Sequence, residues 1–219
     1  MELENTNHKL FKRLRPTQEN TLIRTKEDYL FYLEADQIAL NIESKQPRLF
    51  QDEIWKFQRC LRKVEYLENC RANPISKLLC LHYRYDLEKL SIKLGFVIPR
   101  NVFGPGLSIA HRGSIVIHHG VRVGENCRIH HGVTIGTDLI NNGVPVLGKN
   151  VIISTGAVIV GPISIADGIV IGANSFVNKT FDEPNISIGG CPARKISNKG
   201  SEGRWIRATD IIRNRNEKV

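Results

Sequence analysis

From Val97 onward, apolar residues return at every sixth position. The series runs Val97, Phe103, Ile109, Ile115, Val121, Cys127, Val133, Leu139, Pro145, Val151, Ala157, Ile163 and Ile169. A second series lies two residues further along, including Ile117, Val123, Ile129, Ile135, Leu147, Ile153, Ile159, Ile165, Ile171 and Val177. Small residues often follow it: Gly124, Gly136, Gly148, Ser154, Ala166 and Gly172. A strand repeats every two residues and a helix every 3.6, so a period of six belongs to neither alone. Fixed-period self-similarity marks a solenoid, and its hexapeptide form is a parallel β-helix. Each hexad supplies one short strand and one turn, and three hexads close a triangular coil. Residues eighteen apart then stack, and stability builds up from neighbour to neighbour. The small residue after each inward aliphatic is expected at a crowded corner, where an unusual backbone conformation suits glycine.

The register breaks at GTDLINNGVPVLG. Asn141 falls on an inward slot, and Asn141-Asn142-Gly143 is turn chemistry. The pattern predicts an external loop that leaves the coil near Thr137 and returns at Pro145 with the six-residue count intact. A loop projecting from a solenoid is a candidate for function.

The front of the chain has helical periodicity. Thr25 and Asp28 form a capping-box pattern ahead of KEDYLFYLEADQIALNIESK. In FQDEIWKFQRCLRKVEYLENC, the residues Ile54, Phe57, Leu61, Val64 and Leu67 make one apolar stripe. A third stretch, ISKLLCLHYRYDLEKLSIKLG, follows Pro74 and ends at Gly95, a C-cap candidate. The fold class is therefore α+β. Residues 1–95 are expected as a helical N-terminal domain and 96–196 as the β-helix. Residues 197–219 are expected as a basic tail or short helix.

The 219 residues carry a formal net charge of +9. That suits an anionic partner or a phosphorylated cofactor, but the basic residues are dispersed and concentrated towards the two ends. No nucleic-acid-binding motif is present. Five cysteines with no CxxC argue against a zinc ribbon or a disulfide framework, and fit a reducing, cytoplasmic setting. The N-terminus lacks the apolar core of a signal peptide. The apolar run Val151–Ala173 is long enough to cross a bilayer. It contains Pro162, Asp167 and several glycines at regular spacing, so it reads as repeat and not as a membrane span.

Five of the seven histidines lie between Ile109 and Gly132: His111, His118, His119, His130 and His131. His82 falls within the third helical stretch, as a surface or core residue. Counting back by sixes puts His111 in a slot that later hexads fill with Ile or Val. His118 and His130 should stand at two different corners, with His119 and His131 pointing outward. Three readings remain open for the cluster: a general base, metal ligands shared between subunits, or corners without chemistry.

Three segments carry a resemblance: PGLSIAHRGSIVI, GENCRIHHGVTIG and GANSFVNKTFDEPNISIGGCPARKI. They resemble the serine acetyltransferase branch of the hexapeptide-repeat acyltransferases. The resemblance implies a left-handed β-helix that associates as a homotrimer or hexamer. It implies acetyl-CoA as co-substrate, bound between subunits, with no metal. His111 matches the family's catalytic base. Gly136, Thr155 and Ala173 match residues along the pantetheine arm, and Arg194 and Lys195 are candidates for the CoA phosphates.

Three departures concern the acceptor. Phe96 and Ala110 stand where the family has aspartates, and Gly143-Val144 replaces the Arg-His pair that grips the serine carboxylate. A charged acceptor needs charged partners. A sugar hydroxyl of a surface polysaccharide is therefore the expected acceptor, with His118, His130, Asn141 and Asn142 as acceptor-site candidates. L-Serine is the alternative, and a zinc lyase of the γ-carbonic anhydrase kind a further one.

Overall fold

The computed structural model describes residues 22–217, apart from 45, 72, 139 and 141. Asn141, an acceptor-site candidate, lies outside the described residues. Among these, four helices and fourteen short strands form an α+β fold. The helices are α1 Lys26–Ala39, α2 Glu53–Cys70, α3 Pro74–Leu94 and α4 Ala208–Asn216.

Local chemistry sets the helix ends. At α1 the Asp28 N–H donates to Thr25 Oγ1 at 3.0 Å, and the Thr25 N–H donates back to Asp28 Oδ2 at 2.9 Å. This reciprocal pair satisfies two donors that the helix leaves unpaired. Pro74 does not merely precede α3 but opens it, because its missing N–H costs nothing in the first turn. The Asn73 side chain caps the same turn through the Ser76 N–H at 2.8 Å. Gly95 ends α3 in the left-handed conformation, with φ of 76°.

The strands make three sheets around a triangular coil. One sheet runs β1(Phe96–Val97), β3(Ile115–Ile117), β6(Thr134–Gly136), β9(Val158–Val160) and β12(Phe176–Val177). The second is β4(Arg122–Val123), β7(Val146–Leu147) and β10(Ser164–Ile165). The third is β2(Ser108–Ile109), β5(Arg128–Ile129), β8(Ile152–Ile153), β11(Val170–Ile171), β13(Ser187–Gly190) and β14(Ala193–Ser197). Every pairing is parallel except β13 with β14. The Val151–Ala173 run is therefore coil, and no described helix is long and apolar enough to cross a membrane.

Residues eighteen apart do stack in Val116↔Thr134, Val146↔Ser164, Ile152↔Val170 and Val158↔Phe176. The coil holding the external loop has twenty-four instead, as in Thr134↔Val158. The loop thus adds one hexad of length outside the prism. The first coil has twenty, as in Ile109↔Ile129, and this corrects the position of His111. Two extra residues early in the coil move it from the inward slot to the corner level with His131. It is exposed there.

The corner glycines are also explained differently. Gly124, Gly136, Gly148 and Gly172 have ordinary backbone angles, and at Gly124 and Gly148 space is what glycine supplies. A Cβ on Gly124 would lie 2.7 Å from the Gly148 backbone. The left-handed positions fall two residues later, at Asn126, Asn150 and Asn174. Asparagine tolerates that region through its short polar side chain.

One core runs through helices and coil. Phe57, Leu61 and Val64 of α2 join the stacked column Ile109, Ile129, Ile153, Ile171 and Ile188. The phenyl ring of Phe96 meets that of Phe57 edge-on at 5.1 Å. A phenylalanine serves here because the position belongs to this apolar contact.

A buried ion cluster ties the helices to the start of the coil. Arg62 donates to Asp36 Oδ2 at 2.8 Å, to Glu65 Oε2 at 3.0 Å and to the carbonyls of Phe103 and Gly104 at 2.8 Å each. Asp36 Oδ1 accepts the N–H groups of Gly106 and Leu107 at 2.9 and 2.8 Å. All three side chains are buried, so the cluster stands on these mutual bonds. The residues it fixes lead directly into β2 and His111.

Candidate active site

Two corners of the prism carry the histidines. At the corner after β2, β5 and β8, the His111 ring lies 5.6 Å from that of His130 and 5.9 Å from that of His131. At the corner after β3 and β6, the rings of His118 and His119 are 4.2 Å apart. His82 is on the exposed face of α3, beside Asp86 at 3.5 Å. The five coil histidines are thus three plus two, on different edges. Among the described residues no three His, Cys, Asp or Glu side chains converge as ligands of one metal ion.

The environments of the two corners differ. Burial pushes the His130 imidazole below its ordinary value, and Arg128, His111 and His131 push it in the same direction. His130 is therefore held neutral. His118 Nδ1 accepts the Gly120 N–H at 3.1 Å, which leaves the proton of the neutral ring on Nε2. No carboxylate pairs with His111 among the described residues, and Ala110 beside it is half-buried.

Thr155 and Ala173 continue the His111 edge. The Gly156 N–H donates to the His131 carbonyl at 3.1 Å, and the Asn174 N–H to the Thr155 carbonyl at 2.8 Å. His111, His131, Thr155 and Ala173 therefore stand one above another. Below them the β13–β14 hairpin presents Arg194 and Lys195, both exposed. Four strand steps separate β2 from β13, roughly 19 Å at ~4.8 Å each. Lys195 Nζ is taken up by Glu183 Oε1 at 2.5 Å, whereas Arg194 has no acidic partner among the described residues.

Gly136 belongs to the other edge, where a Cβ would lie 3.8 Å from the Cβ of His118. The external loop lies on this edge too. A Cβ on Gly143 would come within 2.6 Å of Pro162 Cβ, so this backbone has no room for the arginine of the family's clamp. Val144 packs against the core and approaches Gly120. Asn142 is exposed, with φ of 33°. Of the acceptor-site candidates, His118 and Asn142 share this edge, and His130 stands on the other with His111.

Sequence reasoning missed a pocket of about 340 Å³ beside His111. The residues on either side of that histidine, Ala110 and Arg112, line it. Trp55, Arg128 and Trp205 line it as well. These come from α2, from β5 and from the segment before α4, and only docking of helices on the coil brings them together. An arginine at an outward strand position near three histidines was the one signal available in the sequence.

No protein-family model matches the chain. It is 37% identical over 101 residues to the serine acetyltransferase of Buchnera aphidicola subsp. Schizaphis graminum, covering 45% of this chain and 38% of that protein. It is 30% identical over 135 residues to the enzyme of the same name from Buchnera aphidicola subsp. Acyrthosiphon pisum, covering 55% and 49%. The chain thus spans less than half the length of these relatives. Among solved structures, the serine acetyltransferase of Brucella abortus strain S19 in complex with coenzyme A matches at 25% identity. Its TM-score is 0.60 over 80% of this chain and 70% of that one. The Neisseria gonorrhoeae serine acetyltransferase shares the fold, with a TM-score of 0.60 at 23% identity over 85% and 72%.

Proposed function

We propose that this chain, serine acetyltransferase-like in sequence and built on a left-handed parallel β-helix, is an acetyl-CoA-dependent O-acetyltransferase with His111 as general base. One observation carries the reading. A single edge of the prism bears the exposed His111 imidazole at one end, the small side chains of Thr155 and Ala173 further along and the exposed Arg194 at the other.

The chain's residues divide the work. The small side chains of Thr155 and Ala173 let an extended pantetheine arm lie against the coil, and Arg194 holds phosphate. His111 takes the proton of the acceptor hydroxyl as its oxygen bonds to the thioester carbon. The carbon–sulfur bond then breaks, and the imidazolium returns the proton to the departing thiolate. The transfer is direct, so it needs no covalent acyl-enzyme. His130, kept neutral by burial and by Arg128, adds no competing positive charge beside the base.

Gly136 and His118 face a different direction within one protomer. Three copies packed side by side would set that edge against the His111 edge of a neighbour and enclose the groove. The active form in this reading is a trimer or a multiple of it.

Among acceptors, L-serine takes precedence over the polysaccharide sugar expected from the sequence, because the matched relatives are named serine acetyltransferases. The sealed position at Gly143 means that the serine carboxylate must be held elsewhere. Thiol release from acetyl-CoA, measured with L-serine and with neutral sugars as separate acceptors, tests the reading. Release with serine supports it. Release with neutral sugars alone restores the glycan acceptor, and silence with both while acetyl-CoA fails to bind rejects the transferase.

A further inference from the structure

We infer that Arg128 is the acceptor anchor of this site, and that the pocket beside His111 takes acceptors carrying a carboxylate close to the reacting hydroxyl. The inference rests on the transferase reading and adds the substrate class and the residue that selects it.

Arg128 sits on the outward face of β5, and its guanidinium lies 3.3 Å from the Trp205 ring centre. One of its N–H groups donates to Ser108 Oγ at 2.9 Å. Ring and hydroxyl fix the plane of the fork, and no acidic side chain among the described residues neutralises it. An oriented, uncompensated guanidinium at the wall of a pocket is built for a planar anion such as carboxylate. Burial pushes Arg128 down from its ordinary value, yet guanidinium stays charged at neutral pH.

A second observation points the same way. The indole N–H groups of Trp55 and Trp205 are buried with no hydrogen-bond partner among the described residues, and both residues line this pocket. Trp55 is 1% exposed. Carboxylate oxygens are acceptors only, so they suit a guanidinium that offers a fork of donors.

Asp52 and Glu53 line the same pocket, and both stay ionised. Arg48 holds the Asp52 carboxyl down to about 2, and Glu53 is held low by its own backbone N–H and by Lys93. A pocket with both Arg128 and Glu53 in its lining accommodates a zwitterion. It also accepts a hydroxy acid without an amine, such as a uronic acid, through the same arginine. Neutral sugars gain nothing from it.

The test compares charged and neutral partners of the same shape. Thiol release is measured with L-serine against L-serinamide, and with glucuronic acid against glucose. In the unmodified protein the carboxylate-bearing member of at least one pair should be preferred by roughly 10–100-fold in kcat/KM, as for a hydrogen-bonded charge. Arg128→Gln should erase that preference, raising KM for the acceptor far more than it lowers kcat, with KM for acetyl-CoA unmoved. Arg128→Lys should recover part of it, since it keeps the charge and loses the fork. The pair that responds identifies the source of the carboxylate. Equal rates within both pairs, or a preference that survives Arg128→Gln, overturn the anchor and leave the transferase standing. Calorimetric titration of serine and glucuronate needs no turnover. Binding that depends on Arg128 without any thiol release overturns the transferase and leaves the anchor, and no binding of either overturns the anchor.

Discussion

In the proposed transferase, His111 is the residue on which the chemistry turns. Replacing it by Ala should lower transfer by about 10²–10⁴-fold, the usual share of a general base. Acetyl-CoA binding should persist, because the arm and phosphate contacts lie further along the edge. Parallel measurement of thiol release and of acetyl-CoA affinity separates the two. Unchanged turnover would remove His111 as base. Arg62 acts at one remove. Changing it to Met leaves Asp36 and Glu65 buried without a counter-charge, which costs about 3–5 kcal/mol. Denaturant midpoints should report that loss. The separation of His118 and His130 onto different corners was legible in the sequence. The exposed place of His111 and the spatial reason for the corner glycines were not, because both depend on how successive coils stack. The pocket was not, since Trp55, Arg128 and Trp205 meet only through long-range docking that no periodicity records.

Among the elements, the coil shows how far a period can be trusted. The six-residue count located the inward columns from Val121 onward and anticipated an external loop that preserves register. It failed at the first coil, whose twenty residues depend on how α2 and the Arg62 cluster receive the chain. For residues 197–219 the sequence is consistent with either a tail or a short helix, and the structure has helix α4 there. It forms because Ala208 and Ile212 pack on Ala35 and Ala39 of α1. Its polar side is bonded to the coil: Thr209 Oγ1 donates to Glu125 Oε2 at 3.0 Å, and Arg213 donates to both Glu125 oxygens at 2.8 and 2.7 Å. Burial pushes the Glu125 carboxyl up, but Arg213, Lys149 and Thr209 outweigh it and hold it below the usual value of 4.5. A carboxyl lowered in the folded state contributes stability above its unfolded value and loses it as pH falls through the folded one. Glu125→Gln should therefore lower stability by about 1–3 kcal/mol at pH 7. The difference from the unmodified protein should shrink steadily below about pH 4.5. Chemical denaturation at several pH values reads this directly, and a difference constant from pH 7 to pH 3 would deny the pair its role.

At the scale of the molecule, α3 leaves an apolar face uncovered. Ile75, Leu78, Leu81 and Ile92 are 81%, 71%, 63% and 75% exposed. Such a patch marks an association surface, and it lies outside the coil edges that form the proposed groove. Ile75→Glu with Leu78→Glu should lower the assembly by one level, leaving trimers if the native form is a hexamer. Sedimentation would show the smaller species, and an unchanged mass would free α3 of that task. The two ends of the coil carry a further consequence. Helix α2 closes the first turn, and the antiparallel β14 reverses the last strand of its sheet. These two features work against end-to-end stacking on another copy. The coil itself then has its flanks to offer a neighbour, the same flanks that hold His111 and Gly136. If the proposed groove forms between protomers, oligomerisation and its completion are a single event, and specific activity should fall on dilution in step with dissociation.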